Sequence, residues 1–189
     1  LMYYPTRVGT LRGVLSSPED RAKWTEGEKQ RFETMKRFFD AGIDPYAVIL
    51  KEAKERKLEA LISIRMNDDH GNEFLHTQFW VDHPECRLGS GALNFAKPET
   101  RDYVSRVIEE AAARYECDGV ELDFNRFPRF FKEGEAASNV GAMNDLVKRV
   151  RGFMNDLGAK RGRKLTLAIR VPSNFGRALP TPDSCRAQI

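Results

Sequence analysis

A parallel α/β architecture of the (β/α)₈ barrel type is the fold class this sequence predicts, and three observations point to it. Short apolar, strand-like runs alternate with long amphipathic helical stripes, the pattern of parallel strands joined by helical crossovers. The strands also carry polar residues at every second position, as expected where one sheet face packs under helices and the other lines a barrel interior. No GxGxxG or GxxxxGK[ST] turn follows any strand, which disfavours the doubly wound alternative. A typical barrel needs about 250 residues. A chain of 189 residues is therefore expected to be part of one catalytic domain, a partial barrel of about four strands.

Residues 1–24 read as loop, with Pro5, Gly9, Gly13 and Pro18. Thr25 and Glu28 form a capping box, and Phe32, Met35, Phe38 and Phe39 continue as a helical stripe that Gly42 ends. Asp44-Pro45 opens a second helix, because Asp accepts from exposed N–H groups and Pro suits the first helical position. It runs to about Lys57. Ala60 to Met66 reads as a buried strand, and 67–92 as irregular polar chain holding all three histidines. A helix beginning at Pro98 places Tyr103, Val104, Val107, Ile108, Ala111, Ala112 and Tyr115 on one face. Gly119 to Phe124 is the next strand, 140–157 a further helix stopped by Gly158, and Leu165 to Val171 the last strand. Leu1-Met2-Tyr3-Tyr4 and Pro180-Thr181-Pro182-Asp183-Ser184 both read as cut ends, so the compartment is not readable.

Composition excludes several classes. The chain is 41% hydrophobic and 31% charged, with 31 basic and 28 acidic residues spread along it. That mixed surface lacks the basic stripe a nucleic-acid partner requires. No apolar run approaches the length of a membrane span. Cys86, Cys117 and Cys185 match neither a disulfide framework nor a zinc ribbon, so they are expected to be unbridged. No Ser or Cys sits at a sharp strand-to-helix turn, which argues against acyl transfer.

Strand alternation puts Glu121, Asp123 and Asn125 on one face, opposite Val120, Leu122 and Phe124. Ser63, Arg65 and Asn67 repeat the arrangement, as do Ala168 and Arg170. Arg65, Asp123 and Arg170 are thus expected to converge at the carboxyl ends of the strands, with Glu121 about 6–7 Å deeper. Arginines facing the carboxylates offset the cost of burying them. Asp118, at the strand start, is expected to serve stability. Asn67, Asp68 and His70 follow a strand where substrate hydroxyls could be bound, and Phe127 and Trp80 could stack on sugar rings. His70, His76, Asp82 and His83 raise a metal-dependent alternative, but their spacing matches no ligand pattern. No metal or cofactor is expected.

The run Asp118-Gly119-Val120-Glu121-Leu122-Asp123-Phe124-Asn125-Arg126-Phe127-Pro128 resembles the fourth-strand motif of the bacterial glycosyl-hydrolase-like family 10, roughly D-G-[IV]-x-x-D-x-x-R-[FY]-P. His83-Pro84-Glu85 and the stretch from Pro98 to Val104 are similar to that family too. The resemblance spans about 45–172. It implies a carbohydrate-active barrel cleaving glycosidic bonds in a polysaccharide or oligosaccharide. The strand is also similar to the chitinase-type DGxDxDxE motif, although Asn125 stands where that motif has its acid and cannot give a proton. It is similar as well to a K-[WY]-D-[MF]-N-R motif of α-galactosidases, although the Lys is missing. All three resemblances imply a functional Asp at 123. Glycoside hydrolysis needs two carboxyl groups. Asp123, beside Arg126 and near Arg65, suits a nucleophile or oxocarbenium stabiliser; Glu121 is the acid only if its side chain reaches the mouth, and otherwise the acid is expected on another strand, outside these residues or within them. Arg65, Asn67, Asp68, His70, Asn125, Arg126 and Arg170 are the expected substrate-binding residues. A carbohydrate-binding protein without the acid is the main alternative.

Overall fold

The computed structural model describes residues 1–89 and 91–172. Three strands, β1 (Leu61–Arg65), β2 (Gly119–Asp123) and β3 (Thr166–Arg170), form one parallel sheet in the order β1-β2-β3. Six α-helices surround it: α1 (Pro18–Ala22), α2 (Glu26–Asp40), α3 (Pro45–Glu55), α4 (Gln78–Asp82), α5 (Pro98–Arg114) and α6 (Val140–Lys160).

The barrel expectation is overturned. Among the described residues the sheet has three strands rather than four, and it is open, with β1 and β3 as edges. The period-2 pattern that suggested a barrel states only that one face is apolar and the other polar. An open sheet with helices on one side satisfies it equally. The first segment, read as loop, makes a single parallel bridge between Met2 and Leu11. Two stretches expected to be irregular also hold short helices, α1 within 1–24 and α4 within 67–92. Cys185 and the run Pro180–Ser184 lie outside the described residues.

Local chemistry explains the helices. Thr25 and Glu28 make the capping box of α2, each side chain reaching the other's backbone N–H. Asp44 caps α3 by accepting from the N–H groups of Tyr46 and Ala47. The same carboxylate accepts from the Tyr115 hydroxyl and pairs with Arg114, so the start of α3 is tied to the end of α5. Ser17 caps α1.

Val120 and Leu122 are wholly buried on the helix-covered face of β2. They pack with Val107, Ile108, Leu146, Val150 and Met154 of α5 and α6 in one apolar cluster. Each such side chain contributes on the order of 1.5–3 kcal/mol by leaving water. Register is continuous: Ser63, Glu121 and Ala168 form one row, and Arg65, Asp123 and Arg170 form the next. Gly119 is required at its position, since a Cβ there would lie 2.1 Å from the carbonyl oxygen of Thr166 on β3. Cys86 and Cys117 are buried free thiols, and burial raises both pKa values.

Asp118 anchors the amino end of the sheet. Its Oδ2 accepts from the Ala60 N–H at 2.9 Å, and its Oδ1 pairs with Arg163. The Ala60 N–H, ahead of the Arg163 charge, holds the carboxyl below its usual value. β1 and β3 are thereby fastened to β2 at their starts, which leaves their carboxyl ends free to carry functional groups.

Candidate functional site

The last residue of the central strand is Asp123, a carboxylate only 6% exposed. Its Oδ1 accepts from the Asn125 N–H at 2.9 Å, an Asx turn that ends β2. Its Oδ2 lies 3.7 Å from the Arg170 guanidinium, which is 56% exposed. Arg65 occupies the matching position on β1. The row therefore has one buried anion at its centre and an exposed cation on each side.

Glu121 sits one row nearer the strand starts and is half-buried. Its Oε1 accepts from the Ser63 hydroxyl at 2.7 Å, and its neighbour on β3 is the small residue Ala168. A second carboxyl group thus shares the face with Asp123.

The loop after β1 divides its residues between two tasks. Asn67 is buried, and its amide is fully committed: Nδ2 donates to the carbonyls of Leu93 and Arg129, and Oδ1 accepts from the N–H groups of Leu93 and Asp68. Asp69 accepts from the Gly91 and Ala92 N–H groups and pairs with Arg129 at 2.6 Å. Those two residues bind the loop to segments 91–93 and 129. Gly91 lies so close that a Cβ would stand 2.7 Å from the His70 carbonyl oxygen. Asp68 and His70 instead line an open cleft, with their side chains paired through His70 Nδ1. Among the loop residues expected to bind substrate, then, Asp68 and His70 face the cleft and Asn67 holds the scaffold.

That cleft has a volume of about 600 Å³ and runs along β1. Arg65, at the end of β1, is common to its lining and to the Asp123 row. Its far walls hold Tyr3, Tyr4 and Arg12 from the first segment, Arg31 from α2, Tyr46 from α3 and Tyr115 just after α5. Tyr4 meets Tyr46 and Tyr115 edge-on at 6.3 and 5.6 Å. Burial, with the nearby Glu110 carboxylate, pushes the Tyr4 phenol far above its ordinary pKa. Tyr4 donates to Glu110, which also holds Thr6 and the Arg7 N–H at 2.5 Å. The sequence does not mark Arg12 or Arg31 as site residues, because a single Arg in a loop or on an exposed helix face looks the same whether or not a cleft forms beside it.

Beyond β2, Asn125 and Arg126 are exposed. The Arg126 guanidinium lies 4.9 Å from the centre of the Phe127 ring, and that ring meets His70 edge-on at 4.9 Å. Phe127 holds a left-handed backbone, φ 52°. This is an uncommon and costly conformation for a bulky residue. Trp80 differs: His76 stacks on its ring at 3.7 Å and Arg87 covers it at 3.8 Å. Both neighbours compete with any sugar for its faces.

The histidines are dispersed. His70 belongs to the cleft, His76 to Trp80, and His83 accompanies Glu85 and Cys86 in a separate turn. The His70–His83 segment does not gather into one metal centre among the described residues.

No family model matches the chain, and no curated protein matches it. Among the described residues, no helix is long and apolar enough to cross a membrane.

Proposed function

We propose that the carboxyl end of this sheet binds a glycan and cleaves its glycosidic bond, with Asp123 as the carboxylate facing the reacting sugar. One observation carries the reading. Asp123 is a buried carboxylate at the tip of the central strand, held by a backbone N–H and an arginine, in a row flanked by the exposed Arg65 and Arg170. Such a group can act as nucleophile or stabilise an oxocarbenium-like transition state. The hydrogen bond from the Asn125 N–H to Oδ1 and the nearby Arg170 charge on Oδ2 orient it before substrate arrives. Glu121, on the same face, is the second carboxyl group of the pair. The motif resemblance to the bacterial glycosyl-hydrolase-like family 10 supports the same reading, since its Asp falls on residue 123.

Reducing-sugar release from a panel of polysaccharides tests the reading, using the wild type, Asp123→Asn and Glu121→Gln. Loss of a reacting carboxyl group should lower turnover by about 10²-fold or more, while thermal unfolding stays close to wild type. Sugar release unaffected by Asp123→Asn would sink the assignment. Glycan binding without release in the wild type would favour a carbohydrate-binding protein. That second reading has an observation of its own: Asn125 presents an exposed amide where the chitinase-type motif carries its proton donor.

A further inference from the structure

The cleft beside β1 contains an unsatisfied cation. Arg12 is only 6% exposed, yet its Nε has no hydrogen-bond partner, and among the described residues it forms no ion pair. Its guanidinium lies 5.6 Å from the Tyr3 ring centre and 5.9 Å from that of Phe74. Aromatic faces offset part of the cost of burying the charge, but they leave the N–H donor unmet. A buried donor without an acceptor is a standing penalty.

Arg31 and Arg65 line the same cleft. Two carboxylates oppose these three cations, and both have other commitments. Glu28 accepts from the Thr25 N–H at 2.9 Å and the Thr25 hydroxyl at 2.8 Å to cap α2. Asp68 pairs with His70. The cleft therefore offers guanidinium donors in excess of acceptors, beside tyrosine rings able to pack on a sugar.

We infer that this cleft is a subsite for an anionic substituent on the glycan, a uronic-acid carboxylate or a sulfate ester, received by Arg12 with Arg31 and Arg65. Both groups present the oxygen pair that a guanidinium binds through two parallel N–H bonds. Arg65 lies directly across from Asp123 in the sheet register, and neighbouring strands are about 4.8 Å apart. The acidic sugar would accordingly sit next to the bond that Asp123 faces. The inference rests on the glycan reading of that site and adds its substrate class.

Isothermal titration of the full chain decides it, with four probes: a uronic-acid tetrasaccharide, a sulfated tetrasaccharide, the carboxyl-reduced neutral tetrasaccharide and inorganic sulfate. One of the acidic saccharides should bind about tenfold or more tightly than the neutral one, the size expected of one charge-assisted contact. The acidic arm that does so names the substituent. The preference should collapse in Arg31→Ala and Arg65→Ala, whose side chains are exposed and whose loss spares the core. Arg12→Lys keeps the buried charge and removes the paired donors, so it should narrow the acidic-over-neutral preference by about tenfold. Equal affinity for acidic and neutral saccharides would overturn the inference and leave the glycan reading standing. Binding of sulfate alone, or of no probe, would overturn the glycan reading and the inference with it.

Discussion

Asp123 and Arg170 meet across β2 and β3 with their charged atoms 3.7 Å apart, and they differ sharply in exposure: the carboxylate is almost wholly buried and the guanidinium is mostly in water. At that separation, and with one partner so well solvated, the pair itself adds little stability. Its main effect is to hold the carboxylate at the open face. Arg170→Gln should therefore lower stability by about 1 kcal/mol or less but reduce glycan turnover clearly, and Arg170→Lys should restore part of that turnover. Urea midpoints measured beside sugar-release rates check both. A large stability loss with unchanged turnover would show that Arg170 serves the fold alone.

Asn67 makes the opposite case. Its amide satisfies two carbonyls and two N–H groups in a buried position. Asn67→Ala strands those groups, and each orphan costs on the order of 1–3 kcal/mol. With four groups stranded, we expect a loss of about 4 kcal/mol or more in chemical denaturation. Asn67→Asp keeps the acceptor, loses both donors and buries a charge, so it should fare no better. Should either variant unfold at the wild-type midpoint, the loop does not depend on this clamp.

The contrast between these residues shows what could be read in advance. Alternation along β1, β2 and β3 was legible, and with it the placing of Arg65, Asp123 and Arg170 in one row. So were the caps at Thr25 and Asp44, whose partners lie within three residues. The closure of the sheet was not legible, because side-chain parity tells which face is apolar and says nothing of how many strands share it. Asn67 was misjudged for a related reason. A polar residue after a strand looks the same whether its partners are solvent and ligand or the backbone of residues 93 and 129. Arg12 gave no signal either, since its burial depends on α2 and on the chain around Phe74 closing over it.

Acid should loosen the sheet at its amino end. Asp118 has a folded-state pKa below its ordinary 3.8, owing first to the Ala60 N–H and then to Arg163. The folded state therefore binds its proton less readily than the unfolded state. The stabilisation is complete above the ordinary value and is lost as pH falls below 3.8 through the lower folded value. Asp118→Asn should be less stable than wild type at pH 7, and the gap should narrow progressively as pH falls below 3.8 and the wild-type carboxyl protonates. A pH-independent difference between the two proteins would contradict this account.

Phe127 separates strain from binding. Its left-handed backbone, φ 52°, costs roughly 1–2 kcal/mol in any residue with a Cβ, a cost Phe127→Gly removes. The same substitution deletes the ring that touches His70 and lies under the Arg126 guanidinium, contacts worth about 0.5–1.5 kcal/mol. The two effects nearly cancel, so the unfolding midpoint should hardly move. Glycan binding should not share that balance. The ring lies against His70 of the cleft, only partly buried, and its loss takes away an apolar face on which a sugar can pack. Affinity for the preferred saccharide should fall by about tenfold, and Phe127→Tyr should retain it because the face survives. Titration calorimetry beside denaturation of the same preparations resolves the two effects. A drop in stability with affinity intact would mean that Phe127 is packing for the loop after β2 and takes no part in the site.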